Sequence, residues 1–185
     1  NTVLLASSIK VVELEKLFAN IYKDINVAIA NELALYCEKQ GINVSEVIRF
    51  SNLIPGIRVL EPGIGVGGNC LPVDPYFYTS HCKELGIPAK LAQLSREIND
   101  SRPKYVAKKI LELAKKKNAK TICLLGAAFR PNTHETAYSP AIAVYNEIAK
   151  ELGGNVCVFD PVVGLVRLKK LGITSCNDSA GFDLK

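Results

Sequence analysis

The residues with the most chemistry in them lie between positions 63 and 77, which read GIGVGGNCLPVDPYF. Four glycines in six residues run towards a single cysteine, Cys70, followed by Pro72 and then by Asp74, one helical turn beyond the sulfur. Glycines let a backbone approach a ligand closely and turn its N–H groups towards it. A proline just inside a helix start marks the first turn. The spacing therefore predicts a helix opened by Cys70 and Pro72 and running to about Leu85, with Gly86 after it. A thiol at such a start faces backbone amides and the positive end of a helix, which favours the thiolate. The chemistry implied is nucleophilic. The plainer reading of the same residues is a small buried cysteine in a tight turn.

The elements that must hold this segment can be read from the flanking periodicity. Ser7 or Ser8 caps a long helix to about Gln40, stopped by Gly41. Its apolar stripe is Leu14, Phe18, Ile21, Ile25, Ala28 and Ile29. The opposite arc carries Glu13, Lys16, Asn20, Lys23 and Asn31. That arc is either an ordinary solvated face or one whose asparagines, poor mid-helix residues, bond something. A short helix at about 44–50 takes Asn43 as its cap. From Pro88 a helical stretch reaches about Lys117, ended by Asn118, and Ser101-Arg102-Pro103 should kink or break it.

Beyond position 119 the period changes. Residues 121–126 read as a buried strand, 127–138 as a loop and 140–152 as a helix. Residues 155–159 read as a second strand, 163–171 as a helix stopped by Gly172, and 173–176 as a short third strand. This is β-α-β-α-β, the beginning of a doubly wound parallel sheet. Gly63, Gly65 and Gly68 match GxGxxG, but Pro62 precedes them and Pro72 and Pro75 interrupt the following helix, so they are a poor dinucleotide fingerprint. Gly126, at a strand end, is the better candidate for a phosphate, though it lacks the second and third glycines.

Composition narrows the classes. The chain has 185 residues, 48% apolar and 22% charged, with a formal charge of +5; that is globular composition with room for one large or two small domains. The positive excess is spread along helices, without an aromatic platform or nucleic-acid motif, and suits an anionic small substrate. No apolar run is long enough to span a bilayer. None of the six cysteines forms a CxxC pair, so neither a zinc cluster nor any other metal site is expected. Cys123 and Cys157 lie in strand-like runs and read as core thiols of a reducing compartment, hence a cytoplasmic protein. The opening residues make no convincing signal peptide, and the chain, which contains no methionine, reads as a piece of something longer.

Three segments resemble the UDP-glucose/GDP-mannose dehydrogenase family, in particular its UDP-N-acetylmannosamine (UDP-N-acetylhexosamine) branch. GVGGNCLPVDP at 65–75 is similar to the family's cysteine motif, ELEKLFANIYKDINVAIANELA at 13–34 to its central helix, and LGAAFRPNTHETAYSPA at 125–141 to the first loop of its UDP-binding domain. The resemblance covers nearly the whole chain. It implies an α/β fold: an all-helical central domain, like the C-terminal domain of 6-phosphogluconate dehydrogenase, joined by a long helix to a partial Rossmann-like parallel sheet. The expected domains are 1–103, helical, dimerising and bearing the cysteine, and 104–185, the partial UDP-binding unit.

The resemblance also implies roles. Cys70 would be the nucleophile, Lys16 and Asn20 its partners and substrate contacts, and Asp74 the carboxylate that helps activate water. Lys23, Gly65, Phe129 and Arg130 would complete the substrate site. The reaction would oxidise the C6 alcohol of a UDP-sugar through a Cys70 thiohemiacetal and thioester, with NAD bound mainly by an N-terminal domain absent here, leaving the fragment inactive. Arg130 stands where a Lys is usual, Ala137 where the loop usually has an Arg, and Ile54-Pro55-Gly56 where a His-Pro-Arg run is usual. A homodimer is expected, with no nucleic acid or membrane partner. The alternatives are a helical dimerisation module without activity, and a UDP-glucose 6-dehydrogenase.

Overall fold

The computed structural model describes residues 3–176. Its helices are α1 (Ile9–Gln40), α2 (Val44–Ser51), α3 (Asp74–Glu84), α4 (Lys90–Lys116), α5 (Pro140–Leu152) and α6 (Gly164–Lys170), with strands β1 (Ile122–Leu125) and β2 (Val156–Phe159). They divide into two compact units. One comprises the residues up to Gly63 with Cys70–Asn99; the other comprises Ile64–Asn69 with the residues from Asp100 onwards. The division therefore falls four residues before the expected boundary at 103, and the glycine segment 64–69 groups with the second unit rather than the first. The outermost ends of the expected domains, 1–2 and 177–185, lie outside the described residues.

In the first unit α1 follows Ser8 and is stopped by Gly41, whose φ of 67° is costly for any residue with a Cβ. The apolar stripe supplies only part of the buried face. Leu14, Phe18 and Ile29 are more than half exposed, whereas Asn20, Asp24 and Asn31 are buried beside Ile21 and Ala28. Polar residues can be buried at low cost only if their hydrogen bonds are made, and here they are. Asp24 accepts from the Arg96 guanidinium at 2.6 Å and from Ser95 Oγ at 2.9 Å. Asn99 Nδ2 donates to the Asp24 carboxylate and backbone carbonyl, each at 2.9 Å. Burial raises the Asp24 carboxyl above its ordinary value, and Arg96 with its hydrogen-bonding neighbours offsets only part of that.

Two other boundaries depart from expectation. α3 begins at Asp74, not at Cys70, with Pro75 in its first turn. The backbone N–H groups of Val73 and Asp74 close onto the Cys70 carbonyl at 3.0 and 2.8 Å. A turn thus intervenes, and the first-turn amides meet the cysteine's carbonyl oxygen. α4 continues through Pro103 without a break. A proline forfeits one i→i−4 bond; the carbonyl it leaves belongs to Asn99, where the chain passes from one unit to the other. α2 matches its reading, with Asn43 Oδ1 accepting from the Ser45 N–H at 3.0 Å.

In the second unit β1 and β2 pair in parallel, Ile122 opposite Val156 and Cys123 opposite Cys157, and α5 makes the crossover between them. Ile148, Leu168, Val156 and Val158 are the largest fully buried side chains of this unit. The expected third strand is reduced to one parallel bridge, Val158 to Ser175. Cys157, expected as a free core thiol, is disulfide-bonded to Cys176; the tertiary approach of segment 173–176, not the local pattern, creates that bond.

The phosphate reading of Gly126 is also overturned. Its N–H donates to the Phe159 carbonyl at 2.8 Å. The next two, of Ala127 and Ala128, donate to Asp160 Oδ2 at 2.7 and 3.2 Å. Asp160 Oδ1 accepts from Val162 and Val163, both at 2.9 Å. The amides that would bind a phosphate after β1 are already bonded to a carboxylate and a carbonyl. Partial burial pushes the Asp160 carboxyl up, but the four N–H donors outweigh it and hold the group below its ordinary value.

Two expectations follow. Arg96→Leu leaves Asp24 buried without its counter-charge and should cost about 3–5 kcal/mol in urea unfolding at neutral pH. Because the folded-state pKa of Asp24 is raised, and rises further in the variant, part of that loss should be regained as the pH is lowered and Asp24 protonates. For Asp160 the sign is opposite. Its contribution is present above the unfolded carboxylate pKa, about 3.9, and is lost as pH falls through the lower folded value. The stability gap between wild type and Asp160→Asn should therefore narrow below about pH 4; a gap independent of acid pH would refute the assignment.

Candidate functional site

α1 places Asn20 one turn beyond Lys16, and Asn20 is buried. Its Nδ2 donates to Asp74 Oδ2 at 2.5 Å, joining two residues 54 positions apart that the sequence had marked as candidates. Asp74 is the first residue of α3, and its N–H reaches the Cys70 carbonyl. Cys70, Asp74 and Asn20 are thus linked in one chain of contacts. The Cys70 side of the turn is exposed. Lys16 and Lys23 are exposed too and make no hydrogen bond or ion pair among the described residues; the structure does not tie them to Cys70. An exposed thiol, a carboxylate one turn on, and an amide that still has one N–H to donate form a set able to add to a carbonyl carbon and to take a proton from water.

Asparagine side chains hold the segment that leads to this cluster. Asn26 donates to the Arg58 carbonyl at 2.6 Å and accepts from the Leu60 N–H at 2.7 Å. Asn52 clasps Val59 through both backbone groups, at 2.7 and 3.0 Å. Asn31 Oδ1 accepts from the Gly63 N–H at 2.8 Å, while its Nδ2 donates to Asn99 Oδ1 at 3.0 Å. The sequence reading missed Asn26, Asp24, Ser95, Arg96 and Asn99. A signal was present: Asn20, Asp24 and Asn31 recur at the spacing of one helix face.

The other candidates lie in the second unit. Gly65 and Gly68 have φ of 138° and 96°, values that exclude most L residues. Gly68 donates its N–H to the Ala137 carbonyl at 2.9 Å. A Cβ on Gly67 would lie 2.7 Å from Phe129 Cβ, 2.8 Å from Pro140 Cδ and 2.9 Å from the Tyr138 carbonyl, and one on Gly68 would lie 2.9 Å from the Phe129 ring. These glycines are therefore needed for contact with the 127–139 loop. Arg130 is exposed and lays its guanidinium 5.3 Å from the Phe129 ring centre.

A nicotinamide dinucleotide does not fit the described residues. No strand leads into Gly63, no helix starts between Gly63 and Asp74, Gly68 is packed on Phe129, and the amides after β1 are bonded to Asp160 and Phe159.

Residues 10–101 match the model of the UDP-glucose/GDP-mannose dehydrogenase family, central domain. The chain belongs to that family. The UDP-N-acetyl-D-mannosamine dehydrogenase of Campylobacter jejuni is 37% identical over 85% of this chain and 38% of its own length. An NDP-N-acetyl-D-galactosaminuronic acid dehydrogenase of Ralstonia solanacearum is 34% identical over 89% of this chain and 38% of its own. Among solved structures, the UDP-N-acetyl-mannosamine dehydrogenase of Staphylococcus aureus superposes with a TM-score of 0.74 at 37% identity, over 85% of this chain and 36% of that one. The chain thus spans about two-fifths of the length of these relatives. Both the helical part and the partial Rossmann-like sheet fall within the shared fold. No helix of the described residues is long and apolar enough to cross a membrane.

Substitutions at the glycines separate packing from conformational effects. Gly67→Ala should destabilise the protein by about 1–3 kcal/mol or more, because the backbone and ring atoms it meets cannot yield. Gly154→Ala, with nothing within 4 Å, should stay within about 0.5 kcal/mol of wild type. Thermal unfolding of the pair checks this; equal effects would mean that the Phe129 contact is not close.

Proposed function

We propose that the chain carries the cysteine centre of an NAD-dependent nucleotide-sugar 6-dehydrogenase acting on a UDP-N-acetylhexosamine, with UDP-N-acetylmannosamine the preferred candidate, whose NAD is held outside the described residues. The observation that carries this reading is the Asn20–Asp74 hydrogen bond, which ties the central helix to the turn bearing Cys70. The names of the relatives supply the substrate class.

In this reading the Cys70 thiolate adds to the C6 aldehyde of the sugar. A carbon–sulfur bond forms and the carbonyl pair moves to oxygen. Lys16 and the remaining Asn20 N–H stabilise that oxyanion. After oxidation to the thioester, a water attacks; Asp74 accepts its proton, the carbon–sulfur bond breaks, and Cys70 leaves as thiolate. Bound NAD would supply the hydride acceptor. Lys23, Gly65, Phe129 and Arg130 are proposed to contact the nucleotide sugar, Arg130 keeping a cation for its phosphates. UDP-glucose remains the competing substrate.

In an enzyme that includes these residues, Cys70→Ala should cut carboxylate formation on the order of 10⁴-fold or more. Asp74→Asn should slow it roughly 10²–10⁴-fold and leave a sugar thioester on Cys70, visible as added mass on the tryptic peptide. Normal carboxylate release by Cys70→Ala would end the proposal.

A second reading rests on Leu14, Phe18 and Tyr22 on α1, with Leu91 and Leu94 on α4, all more than half exposed. An apolar face of this kind marks a protein interface, and we infer that it pairs two copies of the chain. Sedimentation should show a dimer that Phe18→Asp dissociates; a monomer at high concentration would count against pairing.

A further inference from the structure

The sulfurs of Cys123, Cys157 and Cys176 lie within 4.8 Å of one another in the second unit. The parallel register sets Cys123 beside Cys157. Cys176 follows the bridging Ser175 and donates its N–H to the Val158 carbonyl at 3.1 Å. The Cys157–Cys176 disulfide joins two of the three sulfurs. Cys123 Sγ stands 2.6 Å from Cys176 Sγ and has no part in that bond, nor in any chemistry proposed for Cys70. A disulfide alone does not account for a third converging sulfur.

Once the disulfide is reduced, the same residues offer three thiols. A cation bound about 2.3 Å from each sulfur would sit in a triangle with edges of about 4 Å; the three sulfurs, all within 4.8 Å of one another, reach it by moving apart once the disulfide opens. Thiolates select soft cations. Cys157 and Cys176 are buried, whereas Cys123 is partly open to solvent, leaving that side for a water as fourth ligand. No His, Asp or Glu joins the cluster among the described residues.

We propose that, after a dithiol has opened the Cys157–Cys176 bond, Cys123, Cys157 and Cys176 bind one soft divalent cation of the zinc class. The dithiol supplies two electrons and two protons to the disulfide and itself becomes a cyclic disulfide. The three thiols then release three protons to solvent as three metal–sulfur bonds form.

Cadmium serves as the probe. The chain is reduced with a dithiol, desalted without oxygen and titrated. The expected result is one ion per chain, a thiolate-to-cadmium absorption band and the release of protons. Cys123→Ser, Cys157→Ser or Cys176→Ser should each weaken binding by more than the roughly 10–100-fold typical of losing an outer partner. Cys70→Ser should leave it unchanged. In the wild-type protein, where folding is not in question, cadmium should shield these three cysteines together from iodoacetamide, as read by peptide mass spectrometry. Absence of shielding, cadmium held instead by Cys70, or a disulfide that the dithiol does not open would each overturn the proposal.

Discussion

The buried contact between Asp24 and Arg96 underlies the organisation of the first unit. Both side chains are withdrawn from water and meet at 2.6 Å, so neither α1 nor α4 can shift without exposing an unmatched charge to an apolar interior. Such a pair is tolerable only when its remaining lone pairs are used, and Ser95 and Asn99 use those of Asp24. Asn99 then accepts from Asn31, and Asn31 receives the Gly63 N–H. Polar groups held in this way specify one register of the two helices, where apolar packing alone would tolerate several.

From that frame the route of the cysteine segment follows. The chain leaves the first unit at Gly63 and rejoins it at Cys70, where the Asp74 N–H and the Asn20–Asp74 bond hold the turn. Two of the intervening glycines are small because of packing. Phe129, Pro140 and the Tyr138 carbonyl occupy the space that side chains at Gly67 and Gly68 would need. The Cys70 thiol is exposed, while the turn that follows it is held by its own carbonyl and by the Asn20–Asp74 bond.

Asp160 does for the second unit what Asp24 does for the first. A carboxylate after a strand often reads as a ligand group, but four backbone N–H donors already surround this one. It fixes the loop after β1, and with it the position of Phe129 and Arg130. An acidic residue that organises backbone is hard to tell in sequence from one that binds a ribose, because two of the four donors, Ala127 and Ala128, come from a segment more than thirty residues away.

What the sequence determined by itself is what neighbouring residues decide among themselves. Asn43 as a cap, Gly41 as a stop, the span of α5, the two parallel strands and the cysteine motif all depend on capping, left-handed glycine and short-range periodicity, which are local. What needed the tertiary structure depended on a partner far along the chain. Asn20 and Asn31 of the polar arc of α1 are buried with Asp24, beside Ile21 and Ala28 of the apolar stripe, because Asp74, Arg96, Asn99 and Gly63 complete their hydrogen bonds. At Asp74, the first residue of α3, the side chain is held by Asn20, 54 residues away. α4 runs through Pro103 although the proline removes one backbone bond. Cys157 meets Cys176 only once segment 173–176 lies beside β2. Local rules see only a few residues at a time, whereas burial is decided by whatever the folded chain brings alongside.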